Sequence, residues 1–128
     1  MTEAQRTTLF LKWSKARMHE TFAFEAKICK EPSLPFDAVK EHQANALYRV
    51  KHGYFNYKIS DTGYDQKPYD GYQMVMQNAY VVIFWWQKPG DKRMSIIPID
   101  MWLQEKEQSD RKSITYSRAC EIGRCEVL

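Results

Sequence analysis

Two residues of opposite charge, Glu25 and Lys27, stand two positions apart in the stretch Phe22-Ala23-Phe24-Glu25-Ala26-Lys27-Ile28-Cys29. The surrounding hydrophobicity has a period of two, so Phe22, Phe24, Ala26 and Ile28 share one side of a strand, and Ala23, Glu25, Lys27 and Cys29 share the other. One side packs while the other offers a carboxylate beside an ammonium. A carboxylate is a hard oxygen ligand for Mg²⁺ or Mn²⁺, and a neighbouring lysine can orient an attacking water or neutralise charge building on a phosphoryl group. Glu-x-Lys is a short pattern, and the plainer reading is a salt bridge on an exposed strand.

The elements that must hold this pair can be read around it. Residues 4–17 place Leu9, Phe10, Trp13 and Ala16 at helical spacing, with Arg6, Lys12, Lys15 and Arg17 largely on other faces. The strand of Glu25 follows, and Pro32 and Pro35 end it. Asp37 is suited to cap a helix whose inner face is Val39, Gln43, Ala46, Leu47 and Val50, with Gly53 as its stop. Tyr54 to Ile59 is rich in strand formers, and Ser60 to Pro68 reads as a loop. Tyr69 to Met76 and Ala79 to Gln87 read as strands of a hairpin turning at Gln77-Asn78. Arg93 to Ile99 is a further strand, Asp100 opens a helix reaching about Gln108, and a last helix starts after Ser113. This order predicts an α/β fold, a mixed β-sheet flanked by helices.

Composition narrows the classes. The 128 residues, 44% of them hydrophobic and 18 aromatic, suffice for one domain with one core over 1–128. The longest apolar run, Ala79 to Trp86, is too short to cross a bilayer, and the polar start lacks the layout of a signal peptide, so the expected location is the cytoplasm, without a membrane partner. Cys29, Cys120 and Cys125 are odd in number and lack CxxC spacing, which predicts ordinary reduced thiols rather than a disulfide framework or a zinc site. Net charge is +3, but residues 1–60 carry ten Lys/Arg against six Asp/Glu, while 61–128 carry nine against ten. A basic front half suits a phosphate-facing surface and equally a solvated helix face.

Phe24-Glu25-Ala26-Lys27, then Pro35-Phe36 leading to a helix with His42-Gln43, then an aromatic strand, resembles the RecU-like Holliday-junction resolvases of the PD-(D/E)XK nuclease superfamily. The likeness extends through Ala79-Tyr80-Val81-Val82-Ile83 and through Ile97-Pro98-Ile99 before a Trp-bearing helix, covering roughly residues 20–123. Leu34-Pro35-Phe36-Asp37, Lys67-Pro68-Tyr69-Asp70 and Arg111-Lys112-Ser113 are similar to short phage proteins described as resolvase-like or as recombinases. The resemblance implies a restriction-endonuclease-like fold and a metal-dependent endonuclease acting on branched DNA in recombination or phage replication. Glu25 and the Ala26 carbonyl would hold Mg²⁺ or Mn²⁺, Lys27 would serve the attacking water, and Gln43 would support the site. Paired cuts in a near-twofold junction imply a homodimer.

One departure concerns the metal. The larger resolvases complete the site with an aspartate on the preceding strand, and no Asp stands upstream of Glu25. Asp70, in Pro68-Tyr69-Asp70, has the form that would replace it, and it equally suits a turn cap. Glu20 is a weaker substitute, and Asp65-Gln66-Lys67 repeats the acid-x-Lys spacing in a loop. Lys12, Lys15, Lys30, Lys40, His42, Arg111 and Lys112 are the candidates for contact with nucleic acid, though each suits an ordinary solvated or structural role. Tyr54-Phe55-Asn56-Tyr57 and Phe84-Trp85-Trp86 offer rings for stacking or for the core. The missing aspartate also fits a non-catalytic DNA-binding recombination accessory protein, and small size alone leaves a protein that docks to a host enzyme.

Overall fold

The computed structural model describes residues 1–61 and 66–128. Its elements are α1 (Glu3–Arg17), β1 (Phe22–Cys29), β2 (Ser33–Pro35), a 3-10 turn (Phe36–Ala38), α2 (Glu41–His52), β3 (Tyr54–Lys58), β4 (Gly71–Val75), β5 (Asn78–Trp85), β6 (Arg93–Pro98), α3 (Ile99–Gln108), β7 (Ser113–Thr115), α4 (Tyr116–Ile122) and β8 (Arg124–Val127). The main sheet has the order β1-β5-β6-β8 and is mixed, with β1 parallel to β5 and the other two pairings antiparallel. The fold is therefore α/β around a mixed four-stranded sheet flanked by helices, as the order of elements predicts.

Strand β5 explains the arrangement. Val81, Val82, Ile83, Phe84 and Trp85 are all fully buried, so both faces of this strand need cover. Val81, Ile83 and Trp85 join a core with Leu47 and Val50 of α2, Trp102 of α3 and Ala119 of α4. Val82 and Phe84 join a second core with Phe10 and Trp13 of α1. Helix α1 thus covers one face of the sheet and α2, α3 and α4 the other, an arrangement that removes the side chains from Val81 to Trp85 from water.

Several expectations are corrected. Strand β4 does not form a hairpin with β5; it pairs antiparallel with β3, from Tyr54↔Val75 to Lys58↔Gly71. A half-exposed strand such as β4 cannot cover the apolar β5, which takes its place between β1 and β6. Gly71 is required there, because a Cβ would collide with the Tyr57 carbonyl oxygen. Asp37 does not cap α2: it lies in the 3-10 turn with its side chain 96% exposed, and Lys40 holds the cap position. The buried face of α2 is Ala44, Leu47 and Val50, leaving Gln43 and Ala46 half-buried. Arg6 is buried rather than exterior, with one guanidinium nitrogen donating to the Asp91 carbonyl and the group lying 5.0 Å from the Trp86 ring centre.

The thiol expectation fails for two of three cysteines. Cys120 and Cys125 form a disulfide, with Cα atoms 5.2 Å apart, while Cys29 is free and buried. Gly123 lies between α4 and β8, and its Cα approaches the sheet so closely that a Cβ would stand 2.6 Å from the Ile96 carbonyl oxygen. That tight return sets Cys125 opposite Cys120, a geometry that sequence spacing does not announce.

Candidate functional site

Among the described residues, strand β1 is an edge of the main sheet, paired only with β5. Its alternation is the expected one. Phe22, Phe24, Ala26 and Ile28 meet the α1 core, and Ala23 and Cys29 meet the α2 core, so Glu25 and Lys27 share the face that carries α2. The Lys27 ammonium stands 3.3 Å from a Glu25 carboxylate oxygen, and the two side chains are 20% and 28% exposed. Both are sheltered yet reachable from solvent.

Helix α2 roofs this face. A cleft of about 230 Å³ is lined by Glu25, by His42, Gln43, Ala46, Leu47 and Val50 of α2, and by Phe55, Tyr72 and Met74 of the hairpin, together with Ala23 and Phe24. The side-chain oxygen of Gln43 accepts from the Lys40 backbone N–H at 3.0 Å, satisfying a donor at the helix start. Gln43 also lines the cleft. The structure thus brings Glu25, His42 and Gln43 to one cleft, with Lys27 joined to it through its ion pair with Glu25.

The backbone of β1 adds a further oxygen. In a parallel pair, successive residues turn their polar groups alternately toward the neighbour and away from it. The Cys29 carbonyl accepts from Trp86 N–H at 2.8 Å beyond the end of β5, while the Ile28 N–H is directed to a Glu3 carboxylate oxygen at 3.3 Å. Ala26 has the parity of Ile28, so its carbonyl faces the open edge of the sheet. Glu3, at the start of α1, sets a carboxylate on that same edge.

The other expected residues lie elsewhere. Asp70 is not among the residues lining the Glu25 cleft: its carboxylate is 91% exposed, pairs with Lys67 at 3.1 Å, and borders a separate hollow with Tyr57, Lys58 and Asp61. Lys67 also pairs with Asp61, whose carboxyl is held below its ordinary range first by the Lys67 hydrogen bond and then by that of Lys58. Asp65, of the rival Asp65-Gln66-Lys67, lies outside the described residues. Glu20 accepts from the Tyr80 hydroxyl at 2.5 Å and from the Asn78 amide at 3.2 Å. Burial, then the Glu20 contact, pushes the Tyr80 hydroxyl well above the usual phenol range, so it remains a proton donor to Glu20. Among the described residues, no group of three or more His, Cys, Asp or Glu side chains is gathered as a metal centre.

The candidate basic residues divide between two faces. Lys12 and Lys15 are exposed on α1, across the sheet from Glu25. Lys30 follows β1 and lies 5.2 Å from the Trp86 ring centre. Lys40 starts α2, and Lys112 is beside its lead-in, because the Lys112 carbonyl accepts from Phe36 N–H at 3.0 Å. Arg111 borders a hollow with Glu105, Ser109 and Arg118.

No known family, curated protein or solved structure matches this chain. The geometry of the site therefore carries the chemical argument. Tyr72 and Met74 went unnoticed in the sequence, and Phe55 was read only as a ring for stacking or for the core, because a two-stranded hairpin, distant in sequence from Glu25, brings them there. Glu3 escaped for the same reason, as 25 positions separate it from Ile28. Among the described residues, no helix is long and apolar enough to cross a membrane.

Proposed function

We propose that this chain is a metal-dependent endonuclease for branched DNA, built on a restriction-endonuclease-like scaffold and cutting at Holliday-type junctions during recombination or phage replication. The observation that carries this reading is the Glu25–Lys27 pair at 3.3 Å, set on an edge strand under the helix that bears His42 and Gln43.

A Mg²⁺ or Mn²⁺ ion fits the oxygens offered here, because Mg²⁺ commonly takes one or two carboxylates and completes its shell with water and substrate phosphate. Glu25 and the Ala26 carbonyl would hold it, and it would polarise an oxygen of the phosphodiester whose phosphorus is attacked. Lys27, an ammonium sheltered from bulk water, would orient the attacking water and offset the negative charge that grows on the phosphorus centre. The Gln43 amide would donate to a phosphate oxygen or to that water, its position fixed by its bond to Lys40. His42 would meet the DNA at the exposed mouth of the cleft, with Lys40 and Lys112 neutralising phosphates on the same face. A near-twofold junction cut on two strands would engage two copies of the chain.

A second reading has its own support. The cleft gathers one acidic side chain and no second, since Asp70 is engaged with Lys67 elsewhere. That donor set also suits a DNA-binding recombination accessory protein that does not cut.

A synthetic four-way junction and a linear duplex, each incubated with the protein in Mg²⁺, in Mn²⁺ and in chelator, separate the two. The endonuclease reading expects metal-dependent junction cleavage that Glu25→Gln abolishes and Lys27→Ala lowers by about 10²-fold or more, with junction binding retained in both. Junction binding without cleavage in either metal assigns the accessory role. Failure to bind the junction at low salt ends both.

A further inference from the structure

On the far side of the sheet from Glu25, α1 and the strand ends frame a groove of about 350 Å³ lined by Leu9, Lys12, Trp13, Arg17, Lys92 and Leu128. Three of these residues are cations and three are apolar. No acidic side chain lines it, and among the described residues none of the three cations is in an ion pair. Leu9 remains 38% exposed, although it lies on a helix whose Phe10 and Trp13 are buried. Cations without ion pairs around a small apolar floor make a surface complementary to a ligand that is acidic and apolar at once.

The chemistry of that partner follows from the floor. A single-stranded nucleic acid would gain from an open ring on which a base could stack, but Trp13 is only 8% exposed, with guanidinium groups of Arg17 and Arg124 at 5.3 and 5.2 Å from its ring centre. What stays open is aliphatic, from Leu9 and Leu128. Such a surface removes a bulky apolar side chain from water, and the ammonium and guanidinium groups beside it attract carboxylates flanking that side chain.

We infer that this groove is a docking site for an acidic peptide segment carrying a bulky apolar residue, presented by a partner protein. The site is independent of the Glu25 cleft: it lies under the other face of the sheet and shares none of its lining residues. Docking there leaves the α2 face open, so the chain can engage a partner and a second ligand at once.

Fluorescence anisotropy tests this with the intact protein and a labelled peptide of alternating Asp and Glu interrupted by Leu-Phe. Saturable binding is expected, weakening about tenfold when Leu-Phe is replaced by Ser-Ser and about tenfold again in Lys92→Glu. Leu9→Ser should weaken it similarly, and because the Lys92 residue is exposed, its variant keeps the test decisive if Leu9→Ser perturbs folding. Binding should also fall as salt shortens the reach of exposed charges. Equal affinity for the Ser-Ser peptide overturns the inference, as does the lack of any peptide binding at low salt. Tighter binding of a single-stranded oligonucleotide or of phosphatidylglycerol vesicles, lost in the same two variants, overturns it in favour of that ligand.

Discussion

Glu25 and Asp91 show how differently one chain can treat a carboxylate. Glu25 keeps a single ion-pair partner and a reachable cleft, whereas Asp91 is 3% exposed and wholly engaged. Arg93 binds both Asp91 oxygens, at 2.9 and 2.8 Å, and the backbone N–H groups of Gln87 and Arg93 add one bond each at 3.1 Å. The Arg93 guanidinium first of all, with those backbone donors, holds the Asp91 carboxyl far below the usual range, against the opposing effect of burial. A carboxylate whose folded-state pKa is depressed stabilises the fold at pH values above its unfolded value, about 3.9, and loses that contribution as pH falls through the depressed value. Asp91→Asn should therefore lower unfolding free energy at neutral pH by about 1.5–3 kcal/mol, measured by urea denaturation. The gap to the wild-type protein should begin to narrow below about pH 3.9 and close only as pH falls through the depressed value. The shared face of Glu25 and Lys27 was legible from alternation alone, since the same period that buries Ala26 must turn both charges to the opposite face. The role of Asp91 was not, because nothing in Pro89-Gly90-Asp91 beyond its turn character indicates that two strands close around the carboxylate.

At the level of elements, the sequence conveyed what is local and lost what is paired. Helix α1, strand β1 and the end of α2 at Gly53 follow from periodicity and a stop signal, and all three stand where expected. Pairing is another matter, because β4 and β5 are adjacent in sequence and carry turn residues between them, yet each finds its partner elsewhere. Burial decides this. Strand β5 needs neighbours and helices on every side, and a three-residue strand such as β2 or β7 is too short for any periodic signal. The α4–β8 return is the other hidden feature, and its disulfide has a bounded effect. Closing so short a loop restricts the unfolded chain only modestly, so the Cys120→Ser/Cys125→Ser double variant should lose about 2 kcal/mol. Adding dithiothreitol to the wild-type protein should reproduce that loss, while Cys29→Ser, made in the buried core, should be destabilising with or without reductant. Equal stability of the oxidised protein and the double variant would show that the cross-link contributes nothing.

For the whole molecule, the sheet acts as a partition, with α1 on one side and α2, α3 and α4 on the other. The basic excess of residues 1–60 is therefore split between two surfaces that a single rigid duplex arm cannot touch together. Lys40 and Lys112 belong with Glu25 and His42, while Lys12 lines the groove beside α1 and Lys15 is exposed on the same helix. If the cleft face is the one that meets DNA, each phosphate contact there releases counterions and steepens the dependence of junction affinity on salt by about 0.9 per contact. Lys40→Ala and Lys112→Ala should each weaken junction binding and flatten that slope by about 1. Lys12→Ala/Lys15→Ala should leave the slope unchanged, although it removes two charges, because those ammonium groups face away. Titrating a labelled four-way junction at a series of salt concentrations measures the slope directly. A slope that flattens with the α1 pair and not with Lys40 or Lys112 would place the DNA on the opposite side of the sheet, where Glu25 and Lys27 could not reach a phosphodiester. Binding geometry and cleavage chemistry are thereby tied to the same face, and a measurement of affinity alone can break the link.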